Sequence, residues 1–295
     1  MQKKNRNKQE IITFTVNEEE ELLVFLLNKL NKGRNKTKNL LTRKQVLVND
    51  IVVSQYNYEL VKGDVVKVTP FTNKTLEKHK IPIIYEDDMI IVVDKPAGLL
   101  SISSDKEKQM TAFRYVNDYI RTNDPRARAF VLHRLDKETS GVLVFAKTNE
   151  LVNAMHKNWN RYVTKRGYFA VIQGKTPQNQ GVIRSHLHQT KTQKVYVGAK
   201  TDKSKYAETH YKFVRGNKDY SLYDVELKTG RKNQIRVQFS ELGFPIINDD
   251  KYDGPKAPVK RLGLHAYEFS FINPITKKRY TFKSPLPKPL ANLVK

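Results

Sequence analysis

The segment HRLDKETSG, residues 133–141, lies between the apolar stretches AFVL (129–132) and VLVFAKT (142–148). Both flanks suit buried strands, so the polar segment marks a junction between two core elements. Within it Asp136 sits among His133, Arg134 and Lys137, with Glu138 closing the turn. Asp, Thr, Ser and Gly all favour tight turns, and a turn-initiating aspartate is one reading of the pattern. The other is a carboxylate held at the edge of a cleft for chemistry. Spacing alone leaves both open.

The rest of the chain bears on that choice. Over 295 residues, 54 Lys and Arg stand against 30 Asp and Glu, a formal net charge of +24. Such an excess suits a polyanionic partner, because neutralising phosphates with cations releases counterions and supplies affinity. Cysteine is absent, which excludes disulfides, thiol nucleophiles and zinc–cysteine sites. No apolar run approaches the ~18–20 residues of a membrane span. The opening MQKKNRNKQE has no apolar core behind it of the kind a signal peptide carries. A cytoplasmic protein is the expectation.

Composition divides the chain into four parts. Residues 1–13 read as a disordered basic tail and 14–69 as a small α/β domain. Residues 70–82, PFTNKTLEKHKIP, read as a linker, and 83–295 as the main domain. In the small domain EEEELLVFLLNKL predicts a helix with acids in its first turn, where the helix dipole favours them. The next stretch, residues 28–44, carries seven Lys or Arg and no acid. Like charges so close together repel unless an anion is near, which makes Lys32, Arg34, Lys36, Lys38, Arg43 and Lys44 candidate RNA contacts. Two or three short strands follow, with turns at Asn49-Asp50 and Lys62-Gly63-Asp64.

In the main domain MTAFRYVNDYIR and TNELVNAMHKNWNRY predict amphipathic helices. IIYEDDMIIVVDKPAG, RGYFAVIQG, QKVYVGAK, THYKFVRG, YSLYDVELKTG, NQIRVQF, AYEFSFI and KRYTFKS predict strands. Helices interspersed with hairpin-connected strands imply an α+β fold with a large mixed, mostly antiparallel sheet. Phosphate-cradling glycine motifs, H-E-x-x-H and G-x-S-x-G are all missing. His186 and His188 would share one strand face, best explained as solvated.

HRLDKETSGVLVFAKT is similar to the H-R-L-D-x-x-T-S-G signature of the RluA-type pseudouridine synthases, and His133 distinguishes it from the related branch that carries G-R-L-D. Companion segments follow in the family's order: DKPAGLLS, KRGYFAVIQG, SKYAETHYKFV, LKTGRKNQIRVQFSELGFPI and RLGLHAYEFSF. The words NKTKNLLTRKQVLVNDIVV and YELVKGDVVKV resemble an alpha-L RNA-binding domain. The resemblance implies isomerisation of uridine to pseudouridine in structured RNA, ribosomal first and transfer RNA second. It implies Asp136 as the essential carboxylate, Tyr168 stacked on the target uracil, Arg236 paired with Asp136, and Arg134 in contact with the RNA. It also implies no cofactor and no metal, and a monomer is expected. A non-catalytic RNA-binding or ribosome-assembly factor is the alternative. Two stretches depart from the family pattern: GRKNQIRVQ, with Lys232, Asn233 and Gln238, and NDDKYDG at 248–254.

Overall fold

A computed structural model describes residues 11–49, 51–69, 81–103, 111–124 and 126–295. The expected tail through residue 10 and the linker segment 70–80 lie outside the described residues. The chain divides into two compact units, Met1–Lys80 with Arg114–Ala127, and Ile81–Phe113 with Arg128–Lys295.

In the first unit, strands β1 (Ile12–Thr15), β6 (Val65–Val68), β3 (Val46–Val48) and β4 (Ile51–Val52) form one antiparallel sheet in that order. Two helices, α1 (Leu22–Leu30) and α2 (Arg34–Thr42), accompany it, and β2 (Glu20–Glu21) pairs with β5 (Glu59–Leu60). Leu22, Phe25, Leu26 and Leu41 join Val46, Val48 and Val66 in the core, the i, i+3, i+4 stripe of an amphipathic helix over a sheet. β1 begins inside the stretch expected to be tail. The acids expected in the first turn of α1 lie before it instead: the helix starts at Leu22, and its first turn holds no acid. The Leu22 and Leu23 N–H groups donate to the carbonyls of Tyr58 and Tyr56 at 2.8 and 3.0 Å. Those backbone partners satisfy the helix end in place of carboxylates.

The second unit is built on one sheet of 11 strands. Its main path runs β13 (Val195–Gly198), β12 (Gln180–Gln189), β14 (Lys205–Gly216), β15 (Tyr220–Leu227), β11 (Val163–Gln173), β16 (Leu264–Ile272), β10 (Ser140–Ala146), β8 (Ile90–Lys95) and β7 (Ile83–Glu86). β17 (Arg279–Lys283) pairs with β16, and β9 (Phe130–Val131) with β10. Among the described strands only β10 and β16 run parallel, so the sheet is mixed and mostly antiparallel, as expected. Helix α3 (Ala112–Asn123) falls mostly in the first unit, and the helices of the second are α4 (Asn149–Lys157), α5 (Trp159–Tyr162), α6 (Gln234–Glu241) and α7 (Lys288–Leu293). Every residue of β10 is buried, which is why VLVFA reads as an unbroken apolar run.

The strand expected to carry His186 and His188 on one face is β12, and the two share a face of it. Two strand expectations change. β11 starts at Val163, so Tyr168 sits within the strand and not at its start. NQIRVQF, expected to be a strand, forms helix α6, and all of Gln234–Phe239 is buried. The alternation of polar and apolar residues there was misleading because the polar side chains are buried too, each with partners. Gln238, fully enclosed, accepts from Thr209 Oγ1 at 2.6 Å and donates to Ser185 Oγ at 2.8 Å, tying α6 to β12 and β14.

Candidate active site

The loop carrying Asp136 is held on both sides of that residue. Ser101 Oγ donates to the Leu135 carbonyl at 2.7 Å and accepts from the Leu135 N–H at 3.0 Å. Just beyond Asp136, the Lys137 carbonyl accepts from Gly98 N–H at 2.9 Å and from Lys95 Nζ at 3.1 Å. Lys95 is fully buried and also donates to the carbonyls of Pro96 and Leu99. Burial pushes its pKa down to about 7, against the pull of Glu138 and Asp136. The turn that follows closes through Thr139 N–H to the Asp136 carbonyl at 3.1 Å. Gly141 ends the segment at φ +114, where a Cβ would lie 2.1 Å from the Ala266 carbonyl oxygen. Only glycine allows β10 to approach β16 at this point.

His133, grouped with the cations by sequence, is not one. Its ring stacks on Phe269 with centroids 4.3 Å apart, and Nε2 accepts from the Val144 N–H at 3.1 Å. Burial, with the nearby Arg166 charge, pushes its pKa down to about 3, so the ring is neutral at pH 7.

Two side chains reach the Asp136 carboxylate. Asn233 Nδ2 donates to Oδ2 at 2.6 Å, and Arg236 Nη1 lies 3.5 Å from the same oxygen. Arg236 was expected to pair with Asp136, and it does at that longer distance. Its shorter bonds go to buried Asp249: Nε to Oδ2 at 2.7 Å and Nη2 to Oδ1 at 2.6 Å. Burial works against the Arg236 charge, yet Asp249, together with Asp136 and Tyr252, more than offsets it and its pKa is raised. Such a two-pronged carboxylate clamp fixes the guanidinium plane, leaving Nη1 directed at Asp136. Oδ1 of Asp136 accepts no hydrogen bond among the described residues.

Tyr168 reaches the same place from β11. The pairing of β11 with β16 shifts register between Gly167 and Tyr168, an irregularity that re-aims a side chain. Beside it, Gly167 leaves room for the Tyr267 ring, which a Cβ there would approach to 2.8 Å. Burial pushes the Tyr168 phenol up to about 12, with the Asp136 charge raising it and Arg166 lowering it.

Asp136 and Tyr168 line a cavity of about 540 Å³ together with Arg134, Arg166, Trp159 and Arg231. A smaller recess of about 60 Å³ joins them to Asn233 and Arg236. The fold therefore brings Tyr168 and Arg236, distant in sequence, to Asp136 and its near neighbour Arg134. Arg166 is a cation of the same cavity that sequence reasoning did not single out. It donates to the Lys228 carbonyl at 2.7 Å, and a Cβ on Gly230 would lie 2.5 Å from its Nη1. Asn233 and Asp249 were also missed as site residues. Their only signal was that they fall in the two stretches that depart from the family pattern.

The cations expected to touch RNA belong to the first unit. Lys32, Arg34, Lys36, Lys38 and Arg43 are exposed and Lys44 is half-buried. Lys38 Nζ lies 5.4 Å from the Tyr56 ring centroid.

Residues 89–241 match the family described as RNA pseudouridylate synthase. An uncharacterized RNA pseudouridine synthase of Bacillus subtilis, YlyB, is 32% identical over 270 residues, 85% of this chain and 84% of the relative. Ribosomal large subunit pseudouridine synthase D of Neisseria meningitidis serogroup A is 32% identical over 266 residues, 84% of this chain and 71% of the relative. The solved structure of human RNA pseudouridylate synthase domain containing 4 has the same fold. Its TM-score is 0.59 at 20% identity, covering 72% of this chain and 91% of that one. This chain belongs to the RNA pseudouridine synthases of the RluA type.

Proposed function

We propose that the chain isomerises specific uridines in large-subunit ribosomal RNA, with Asp136 as the essential carboxylate. The observation that carries this reading is the Asp136 carboxylate itself. One oxygen is bonded by Asn233 and approached by Arg236, the other accepts no hydrogen bond among the described residues, and Tyr168 lines the same cationic cavity. The ribosomal assignment rests on the relatives named for the large subunit.

The reaction breaks the bond from uracil N1 to the sugar and forms a new one at C5. The C5 proton is lost and N1 gains one, so no net atoms enter or leave. Extruding a base costs a few kcal/mol, and stacking returns ~1–3 kcal/mol per base. Tyr168, which lines the cavity with Asp136, would supply that stacking. Its phenol, neutral at pH 7, adds no charge against the carboxylate. Asp136 serves either as nucleophile or as base and electrostatic partner of a cationic sugar. Arg134, Arg166 and Arg231 border the cavity where phosphates of the turned-out nucleotide would pass.

The first unit is read as an alpha-L RNA-binding domain that adds sequence-independent affinity through the exposed cations of α2. The test is pseudouridine formation on ribosomal RNA from cells lacking the protein, comparing wild type with Asp136→Ala. Wild type should modify uridine, and the variant should bind RNA equally but yield none. Activity surviving in the variant overturns the role of Asp136. Strand breaks or free uracil would point to a nuclease or glycosidase. Modification of transfer RNA alone would move the substrate.

A further inference from the structure

The side chain nearest to Asp136 is Asn233, in the stretch where this chain departs from its family's usual residues, and its geometry is costly. Asn233 is the N-cap of α6 at φ 52, in the left-handed region. An asparagine at a helix N-cap ordinarily turns its side-chain oxygen to a free N–H of the first turn. Here it makes no cap bond. The amide is turned away from the helix, and Nδ2 donates to Asp136 Oδ2 at 2.6 Å. Its orientation is unambiguous, because Oδ1 accepts from Lys251 Nζ at 3.0 Å and from Tyr252 Oη at 3.2 Å. With two donors on the oxygen side, the NH2 group must face the carboxylate. Asn233 is itself buried, at 8% exposure, so water does not replace these bonds.

We infer that Asn233 is a positioning residue for the reaction, locking the rotamer of Asp136 so that Oδ1 faces the cavity. Arg236 does not do this alone. At 3.5 Å its contact with Asp136 is long, and its best-aligned donors are committed to Asp249. The division is between charge and direction: Arg236 supplies a nearby positive charge, and Asn233 supplies the short, directional bond. Lys251 and Tyr252, on the loop that also carries Asp249, hold the amide in turn. The Arg236 guanidinium lies over the Tyr252 ring with a centroid distance of 5.3 Å, which joins the two halves of the assembly.

This inference rests on Asp136 being the catalytic carboxylate, and three variants separate the two claims. Asn233→Gly keeps the left-handed backbone and deletes the donor. Asn233→Asp keeps the shape and replaces the donor by an acceptor. Asn233→His tolerates the backbone and offers a ring N–H. Full-length protein is assayed on ribosomal RNA for kcat, KM, RNA affinity and Tm. The Gly variant should lose about 10- to 100-fold in kcat, the range for a hydrogen bond to a charged group. KM and RNA affinity should stay within twofold. The Asp variant should lose more than the Gly variant, and the His variant should recover at least part of the loss. Normal kcat in both Gly and Asp variants, with Asp136→Ala inactive, overturns the inference and leaves the role of Asp136 standing. Parallel losses of Tm and kcat across all three variants reduce Asn233 to a structural residue and likewise overturn it. Activity in Asp136→Ala removes the ground beneath both claims.

Discussion

Arg34 and Arg236 carry the same guanidinium into opposite surroundings. Arg34 begins α2 exposed, with Lys32, Lys36 and Lys38 exposed near it and no acid in the helix. Arg236 is buried inside α6, clamped by Asp249 and approached by Asp136. Exposed cations act through the field they share, which salt screens and an RNA backbone can neutralise. A buried cation acts through geometry, and it needs its carboxylate because an unpaired charge in the interior is costly. On the proposed reading, the two regions divide the work between affinity without direction and direction without much affinity.

That contrast can be broken at its strongest point first. Asp249→Ala would leave buried Arg236 with only its 3.5 Å contact to Asp136, and stability should fall by up to about 3–5 kcal/mol. Denaturant midpoints measure this, and the salt dependence of RNA binding should stay as in the wild type. A stable, well-folded variant would show that Arg236 finds another partner and that its placement is not set by Asp249.

A smaller effect follows from His265, buried in β16, where Nδ1 and Ser140 Oγ lie 2.8 Å apart. Burial pushes its pKa down to about 4 from an ordinary 6.5. The unfolded chain therefore takes up the proton first. The stabilisation is complete above about pH 6.5, is lost as pH falls toward about 4, and levels off below that. The loss amounts to at most about 3 kcal/mol. Residues 11–69 contain no histidine, so this contribution belongs to the second unit alone. His265→Gln should make the pH dependence of Tm between pH 4 and 6.5 shallower, leaving the part that buried His133 contributes. An unchanged slope would show that the protonated ring is accommodated.

The gentlest prediction concerns the exposed side. Replacing Lys32, Arg34, Lys36 and Lys38 together by Ala should leave Tm nearly unchanged, as surface changes stay within about 0.5 kcal/mol each. The plot of log affinity against log salt should become shallower by about 1 to 3, with kcat on saturating RNA unaffected. An unaltered salt slope would mean that α2 does not meet phosphate, and the contrast would then lose its exposed half.

Much of the site was readable before any coordinates. The ordered segments around HRLDKETSG pointed to Asp136, Tyr168, Arg236 and Arg134, and the fold places all four around one cavity and its recess. The α+β class followed from hairpin-connected strands. Reading failed where polarity and exposure part company. Gln234, Arg236 and Gln238 alternate with Ile235, Val237 and Phe239 as on a half-buried strand, yet every one is buried in a helix. Their polar groups are satisfied by Thr209, Asp249 and Ser185, residues that no local window contains. Likewise His133 looked cationic beside Arg134, and only the Phe269 ring against it reveals a neutral side chain.

Composition and motif order by themselves determined that this is a polycationic chain with a carboxylate at the junction of two core elements. Those properties lie in residue identity, which local chemistry can read. Which oxygen of Asp136 is left open, which partner holds it, and that Asn233 comes closer than Arg236 were decided by tertiary structure. These depend on distances between residues about 100 positions apart. A directional bond exists only once the fold has fixed both of its ends.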